Sequence, residues 1–161
     1  MYKRQAFHLA LGAEYFLDDT VLTAVRQGED LLAPGGRLLF ELAFGTPPAE
    51  GLLTEFVFET QVKGLQPVMA HIERYPYWHG NLHRFEELAE QGVWLQVNAA
   101  SLAGAYGPEV QQAAEKCIDN GWVSLLGTDA HGLRHIDALA ASRVRPAVHR
   151  LAETARNASL F

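Results

Sequence analysis

The chain of 161 residues contains a single cysteine, Cys117. No intrachain disulfide framework can form, which fits a reducing, cytoplasmic setting. Basic residues are scarce: 13 Lys and Arg stand against 19 Asp and Glu, for a net charge of −6. A nucleic-acid surface is normally basic, so no nucleic-acid partner is expected. No apolar run approaches the ~20 residues of a spanning helix, so the chain is not expected to be embedded in a membrane. Met1–Leu11 lacks the apolar core and small-residue cleavage site of a signal peptide. No low-complexity or Gly/Ser-rich linker divides the chain. Its 48% hydrophobic and 20% charged residues exclude a disordered class and point to one folded domain over residues 1–161.

What is present is a regular alternation of short apolar runs and amphipathic stretches. Leu9–Leu17 (LALGAEYFL) is the first run, and Asp18, Asp19 and Thr20 offer N-caps for a helix over Val21–Gln27 ended by Gly28. Pro34–Gly36 is turn chemistry, and Arg37–Phe44 (RLLFELAF) reads as a buried strand. A helix over Gly51–Lys63 closes at Gly64. Pro67–His71, Val93–Asn98 and Trp122–Thr128 read as further strands, separated by helices over Leu82–Gln91 and from Pro108 to Asn120. His135–Ser142 and Val144–Ala155 complete the pattern as helices. The fold class is therefore α/β, with about five parallel strands alternating with crossover helices. Continuous apolar strands suggest a sheet covered on both faces.

A polar residue sits in or just after each strand: Glu14, Glu41, His71, Asn98 and Asp129. Their successive spacings are 27, 30, 27 and 31 residues, close to the ~30 of one βαβ unit. In parallel α/β folds the loops that follow the strands share one face and carry catalytic groups. Glu14, Glu41, His71 and the pair Asp129 and His131 would then converge, and imidazole nitrogen with carboxylate oxygen is a ligand set for zinc, manganese or iron. Each residue also has a plainer reading. Glu14 fits a solvated edge strand, His71 a hydrogen-bonded core histidine, and Arg74 a surface partner of Glu73. Glu41 interrupts an apolar run, and a buried carboxylate needs a charge or metal partner. Cys117 lies on the apolar face of its helix and reads as core. His79, His83, His135 and His149 read as solvated or locally bonded.

Five segments in order carry a resemblance: Gly12–Phe16, Phe40–Leu42, His71-Ile-Glu-Arg-Tyr75 with Pro76–Asn81, Gln96–Asn98, and Gly127-Thr-Asp-Ala-His131 with Gly132–His135. Together they resemble the bacterial capsule and exopolysaccharide tyrosine-protein phosphatases of the PHP (polymerase and histidinol phosphatase) superfamily. The resemblance runs from about Phe7 to the C-terminus. It implies part of a distorted seven-stranded β/α barrel and hydrolysis of phosphotyrosine on the tail of a bacterial tyrosine kinase that controls polysaccharide export. It also implies a divalent-metal centre, manganese first and iron or zinc otherwise. Carried over, Glu14, Glu41, His71, Asp129 and His131 look like metal ligands, and Arg74 and Arg134 like phosphate-binding arginines. That division of labour suits phosphate-monoester hydrolysis, which is very slow unaided.

The sequence departs from the family at its front. The H-x-H strand, an aspartate-rich segment and a further strand-end histidine have no counterpart here, and His8 stands alone. The expected architecture is the C-terminal part of the barrel, with a sheet edge and apolar helix faces left exposed. Met1-Tyr-Lys-Arg-Gln5 fits no family pattern. It is what a transposon-end sequencing adapter would encode after a GTG start, so residues 1–5 are expected not to be native. Two other readings stay open: a PHP phosphatase for a small ester such as histidinol phosphate, and a non-catalytic fragment. Oligomeric state is not legible.

Overall fold

The computed structural model describes residues 10–159, the Arg134 side chain and the last side chains excepted. The expectation for residues 1–5, and the Leu9 end of the first apolar run, lie outside the described residues. Five strands form one parallel sheet in the order β1-β2-β3-β4-β5: Glu14–Phe16, Arg37–Glu41, Gln66–Met69, Trp94–Asn98 and Leu125–Gly127. Sequential neighbours pair throughout, with Glu14 beside Leu39, Leu39 beside Val68, and Gln96 beside Leu125. Parallel neighbours in sequential order require a crossover at every step, which explains the helical period of the intervening sequence.

The helices are α1 (Asp19–Gln27), α2 (Leu52–Val62), α3 (His83–Glu90), α4 (Ala99–Leu102), α5 (Pro108–Asp119), α6 (Leu133–Ser142) and α7 (Pro146–Thr154). Helix α1 begins where Asp18 Oδ1 accepts from the Val21 amide at 2.9 Å, and stops at Gly28, whose φ of 69° suits glycine. Helix α4 has no counterpart in the sequence reading; four residues are too few to establish a period. The core lies between the sheet and its helices. Leu38, Phe40, Met69, Leu95 and Val97 face Phe56, Phe85, Leu88 and Cys117, all fully or nearly fully buried.

The strands are shorter than their apolar runs. Along β2 burial alternates: Leu38 and Phe40 are sealed under the helices, while Arg37, Leu39 and Glu41 are only half-buried. The opposite face holds a cavity of about 310 Å³ to which each strand contributes a residue: Glu14, Leu39, Val68, Gln96 and Leu125. Among the described residues, the helices pack on one face and the other lines this cavity. Val68 and Leu125 on that face are buried, and Leu39 is half-buried.

The two edges differ. At β1, Phe16 is exposed. At β5, the Asn157 amide imitates a further strand, since its Oδ1 accepts from the Leu126 N–H at 3.0 Å and its Nδ2 donates to the Leu126 carbonyl at 2.8 Å. A side chain thus occupies the hydrogen-bonding groups that make an edge strand adhesive.

Candidate metal centre

Strand ends deliver the polar groups, as the spacing predicts, but from different levels. Glu41 is the last residue of β2, and His71 follows β3 by two residues. Glu14 is the first residue of β1 rather than its last, and lines the cavity on the sheet face. His71 Nε2 lies 3.0 Å from Glu14 Oε1 and 3.3 Å from Glu41 Oε2. One ligand atom from each of the three falls within 4.8 Å of the others. His71 is buried, so the plain core reading of its position is right, yet its Nε2 faces two carboxylates rather than a backbone carbonyl.

Backbone strain marks the site. Among the described residues, the non-glycine residues with positive φ are His71 (33°) and Asp129 (46°). Both leave the β region immediately after a strand, which turns their side chains out of the pleat. Such conformations cost energy and persist where surrounding structure enforces them.

Asp129 and His131 form a second group. His131 Nε2 is 2.6 Å from Asp129 Oδ1, while Asp129 Oδ2 accepts from Arg74 Nη1 at 2.9 Å and from Asn98 Nδ2 at 3.0 Å. The His131 side chain is 76% exposed. The five predicted ligands are thus not one cluster: Glu14, Glu41 and His71 meet directly, whereas Asp129 and His131 join them through the neighbourhood of Arg74. Arg134 lies in the first turn of α6, and its side chain is outside the described residues.

Arg74 does not pair with Glu73, so that plain reading is corrected. The Glu73 side chain points the other way into the core, where its Oε1 accepts from the Asn98 amide at 3.0 Å and from Ser101 Oγ at 2.5 Å. Its Oε2 is buried without a hydrogen-bond partner, and burial raises its pKa. Glu73, Asn98 and Ser101 link the turn after β3 to α4 and, through the Asn98 side-chain Nδ2, to Asp129. The sequence offered one hint, the recurrence of Asn98 in the strand-end series. A glutamate in Ile-Glu-Arg-Tyr carries no sign that its neighbours Ile72 and Tyr75 will be buried with it.

Electrostatics favour a cation. Burial pushes the Glu41 carboxyl above its usual range; Glu14 and Asp129 push it further, and His71 and Arg74 oppose them. Two carboxylate oxygens and one imidazole nitrogen are hard-to-intermediate donors suited to manganese, iron or zinc. Their separation is near what ligands ~2.0–2.2 Å from one first-row ion can span after small adjustments. The residues present therefore fit a divalent ion. Cys117 is no alternative nucleophile: it is fully buried on α5, and burial drives its thiol up to about 12.

The family model described as "Capsular polysaccharide synthesis, CpsB/CapC" matches residues 2–152. CapC of Staphylococcus aureus, provisionally named a tyrosine-protein phosphatase, is 26% identical over 132 residues, covering 81% of this chain and 51% of its own length. The tyrosine-protein phosphatase YwqE of Bacillus subtilis (strain 168) is 27% identical over 97 residues, covering 60% of this chain and 37% of its own. The chain thus spans about half the length, or less, of the curated relatives it matches. Among solved structures, a chain from the work on YwqE of Bacillus subtilis and CpsB of Streptococcus pneumoniae, described as unique metal-dependent tyrosine phosphatases, superposes with a TM-score of 0.78. That match, at 22% identity, covers 95% of this chain and 64% of the other, and shows a shared fold. With a family model matched over nearly all of its length, the chain belongs to the CpsB/CapC family of capsular polysaccharide synthesis.

Proposed function

We propose that this chain carries the metal- and phosphate-binding face of a protein-tyrosine phosphatase acting on the phosphotyrosine tail of a bacterial kinase that governs polysaccharide export. The observation that carries the reading is the cluster of Glu14, Glu41 and His71 near an arginine that is held by Asp129 and has hydrogen-bond donors to spare. Glu14, Glu41 and His71 would hold a divalent ion, manganese by first choice, with Asp129 and His131 ready to contribute to a second. A bound ion supplies Lewis acidity toward a phosphoryl oxygen and lowers the pKa of a bound water.

The chain's own residues do the rest. Arg74 offers a rigid fork of donors to the phosphoryl oxygens, where charge shifts in the transition state. Asp129 anchors one arm of that fork, and Asn98, held by Glu73, keeps Asp129 in place. Arg134, three residues after His131, is proposed as a second phosphate contact. The exposed His131 and the partly exposed Phe44 leave this side open to a peptide, which favours a protein tail over a small enclosed ester. Among the described residues no helix is long and apolar enough to cross a membrane. The single free thiol accords with a cytoplasmic site of action.

The test is a metal titration followed by turnover of p-nitrophenyl phosphate and a phosphotyrosine peptide. A ligand at 100 times its Kd stabilises a fold by about 2.7 kcal/mol, readily seen as a thermal shift. His71→Ala should abolish that shift and the turnover together. Arg74→Ala should keep the shift and lower turnover by about 10²-fold, the scale for losing one preorganised donor. If neither substitution moves either readout, the assignment is wrong.

A further inference from the structure

Arg74 is held by more than Asp129. Its guanidinium carbon lies 4.4 Å from the ring centre of Phe44 and 4.5 Å from that of Tyr106, over the face of each ring. The three residues come from separate parts of the chain: Arg74 from the turn after β3, Phe44 from the segment after β2, and Tyr106 from the loop between α4 and α5. Phe44 is itself braced, with its ring 5.7 Å from Tyr75 in a stacked arrangement and 5.3 Å from His71. Among the described residues, Nη1 to Asp129 is the one hydrogen bond from this guanidinium. Two rings therefore restrain its plane and one carboxylate restrains its edge, while the remaining N–H donors stay available.

We infer that Phe44 and Tyr106 are positioning residues that clamp the Arg74 guanidinium in the orientation in which its free donors receive a phosphoryl group. This rests on the reading of Arg74 as phosphate-binding. An unclamped arginine has several rotatable bonds and loses that freedom on binding; one stacked on rings has lost it beforehand. Aromatic faces also attract the cation, more strongly where water is partly excluded. The Tyr106 hydroxyl is not required by the clamp, since only the ring face meets the guanidinium.

The test uses inorganic phosphate titrated calorimetrically into the zinc-loaded chain. Tyr106→Leu and Phe44→Leu should each weaken phosphate binding about three- to tenfold, the scale for freeing one immobilised side chain. Tyr106→Phe should bind like the parent. In an Arg74→Ala background, Tyr106→Leu should have no further effect, because the ring acts only through the arginine. Circular dichroism and zinc content should be unchanged in all five variants, which separates loss of the clamp from loss of the fold. As a second readout, the Arg74 Nε–Hε proton signal should carry a ring-current shift that Tyr106→Leu reduces. Parent-like phosphate affinity in both leucine variants overturns the clamp, as does equal weakening by Tyr106→Phe. If Arg74→Ala binds phosphate as the parent does, the phosphate-binding role of Arg74 fails, and the nuclear magnetic resonance arm still decides whether the rings restrain the side chain.

Discussion

Tyr75→Phe should do more damage than the loss of one oxygen suggests. The Tyr75 hydroxyl accepts from the Leu42 amide at 3.0 Å and donates to the Ala70 carbonyl at 3.2 Å. Leu42 follows Glu41 at the end of β2, and Ala70 precedes His71 at the end of β3, so the hydroxyl pins together the two strand ends that carry the site. Tyr75, Leu42 and Ala70 are all at most 1% exposed, so water cannot replace the lost partner. Burial pushes the hydroxyl pKa up, which keeps the proton in place throughout the working pH range. Each buried backbone group left unpaired costs about 1–3 kcal/mol. For the two groups left unpaired the total is taken at the lower part of the summed range, roughly 2–4 kcal/mol. For a chain of this size each kcal/mol lowers Tm by about 2–4 °C, so a drop on the order of 5–10 °C is expected. The ring remains, so the contacts with Phe44, Tyr77 and Trp78 should survive. Urea unfolding of parent and variant, followed by metal titration, measures both consequences. Metal affinity should fall as Glu41 and His71 lose their common tether. A stability loss below about 0.5 kcal/mol would refute the account.

Three other outcomes are expected. Glu73→Gln retains the acceptor for Asn98 and Ser101 while removing the ionisable group. A carboxyl whose folded pKa lies above its unfolded value contributes stability at acid pH that is lost as pH rises through the folded value. The stability of the variant relative to the parent should therefore improve as pH rises above the ordinary carboxylate range, and a pH-independent difference between the two melting curves would count against it. Asn157→Ala removes both hydrogen bonds on the β5 edge, costing about 1–2 kcal/mol and making association more dependent on concentration, as light scattering would report. Cys117, with its thiol pushed up to about 12, should resist iodoacetamide at pH 8 until the chain is unfolded; rapid native labelling would contradict its placement in the core.

Much of the fold was legible because it depends on local patterns. Gly28 and Asp18 bound α1 by backbone geometry and a cap, both visible in the sequence. The ~30-residue recurrence of Glu14, Glu41, His71, Asn98 and Asp129 reflected one polar group per βα unit. Strand ends were less legible: β3 stops at Met69 because His71 leaves the β region, a torsional fact that hydropathy does not encode. Arg74 was legible as a candidate, but its partner Asp129 was not. Adjacency in sequence suggested Glu73, whereas the turn sends the two side chains in opposite directions.

By itself, then, the sequence determined the parallel α/β order, the caps, the buried cysteine and the roster of metal-binding candidates, because each follows from period, cap chemistry or residue type. The tertiary structure decided that Glu14, Glu41 and His71 meet while Asp129 and His131 stand beside Arg74. It also decided that Glu73 goes inward and that Phe44 and Tyr106 close on one guanidinium. These contacts join residues 25 to 57 positions apart, and strand register and turn geometry bring them within reach.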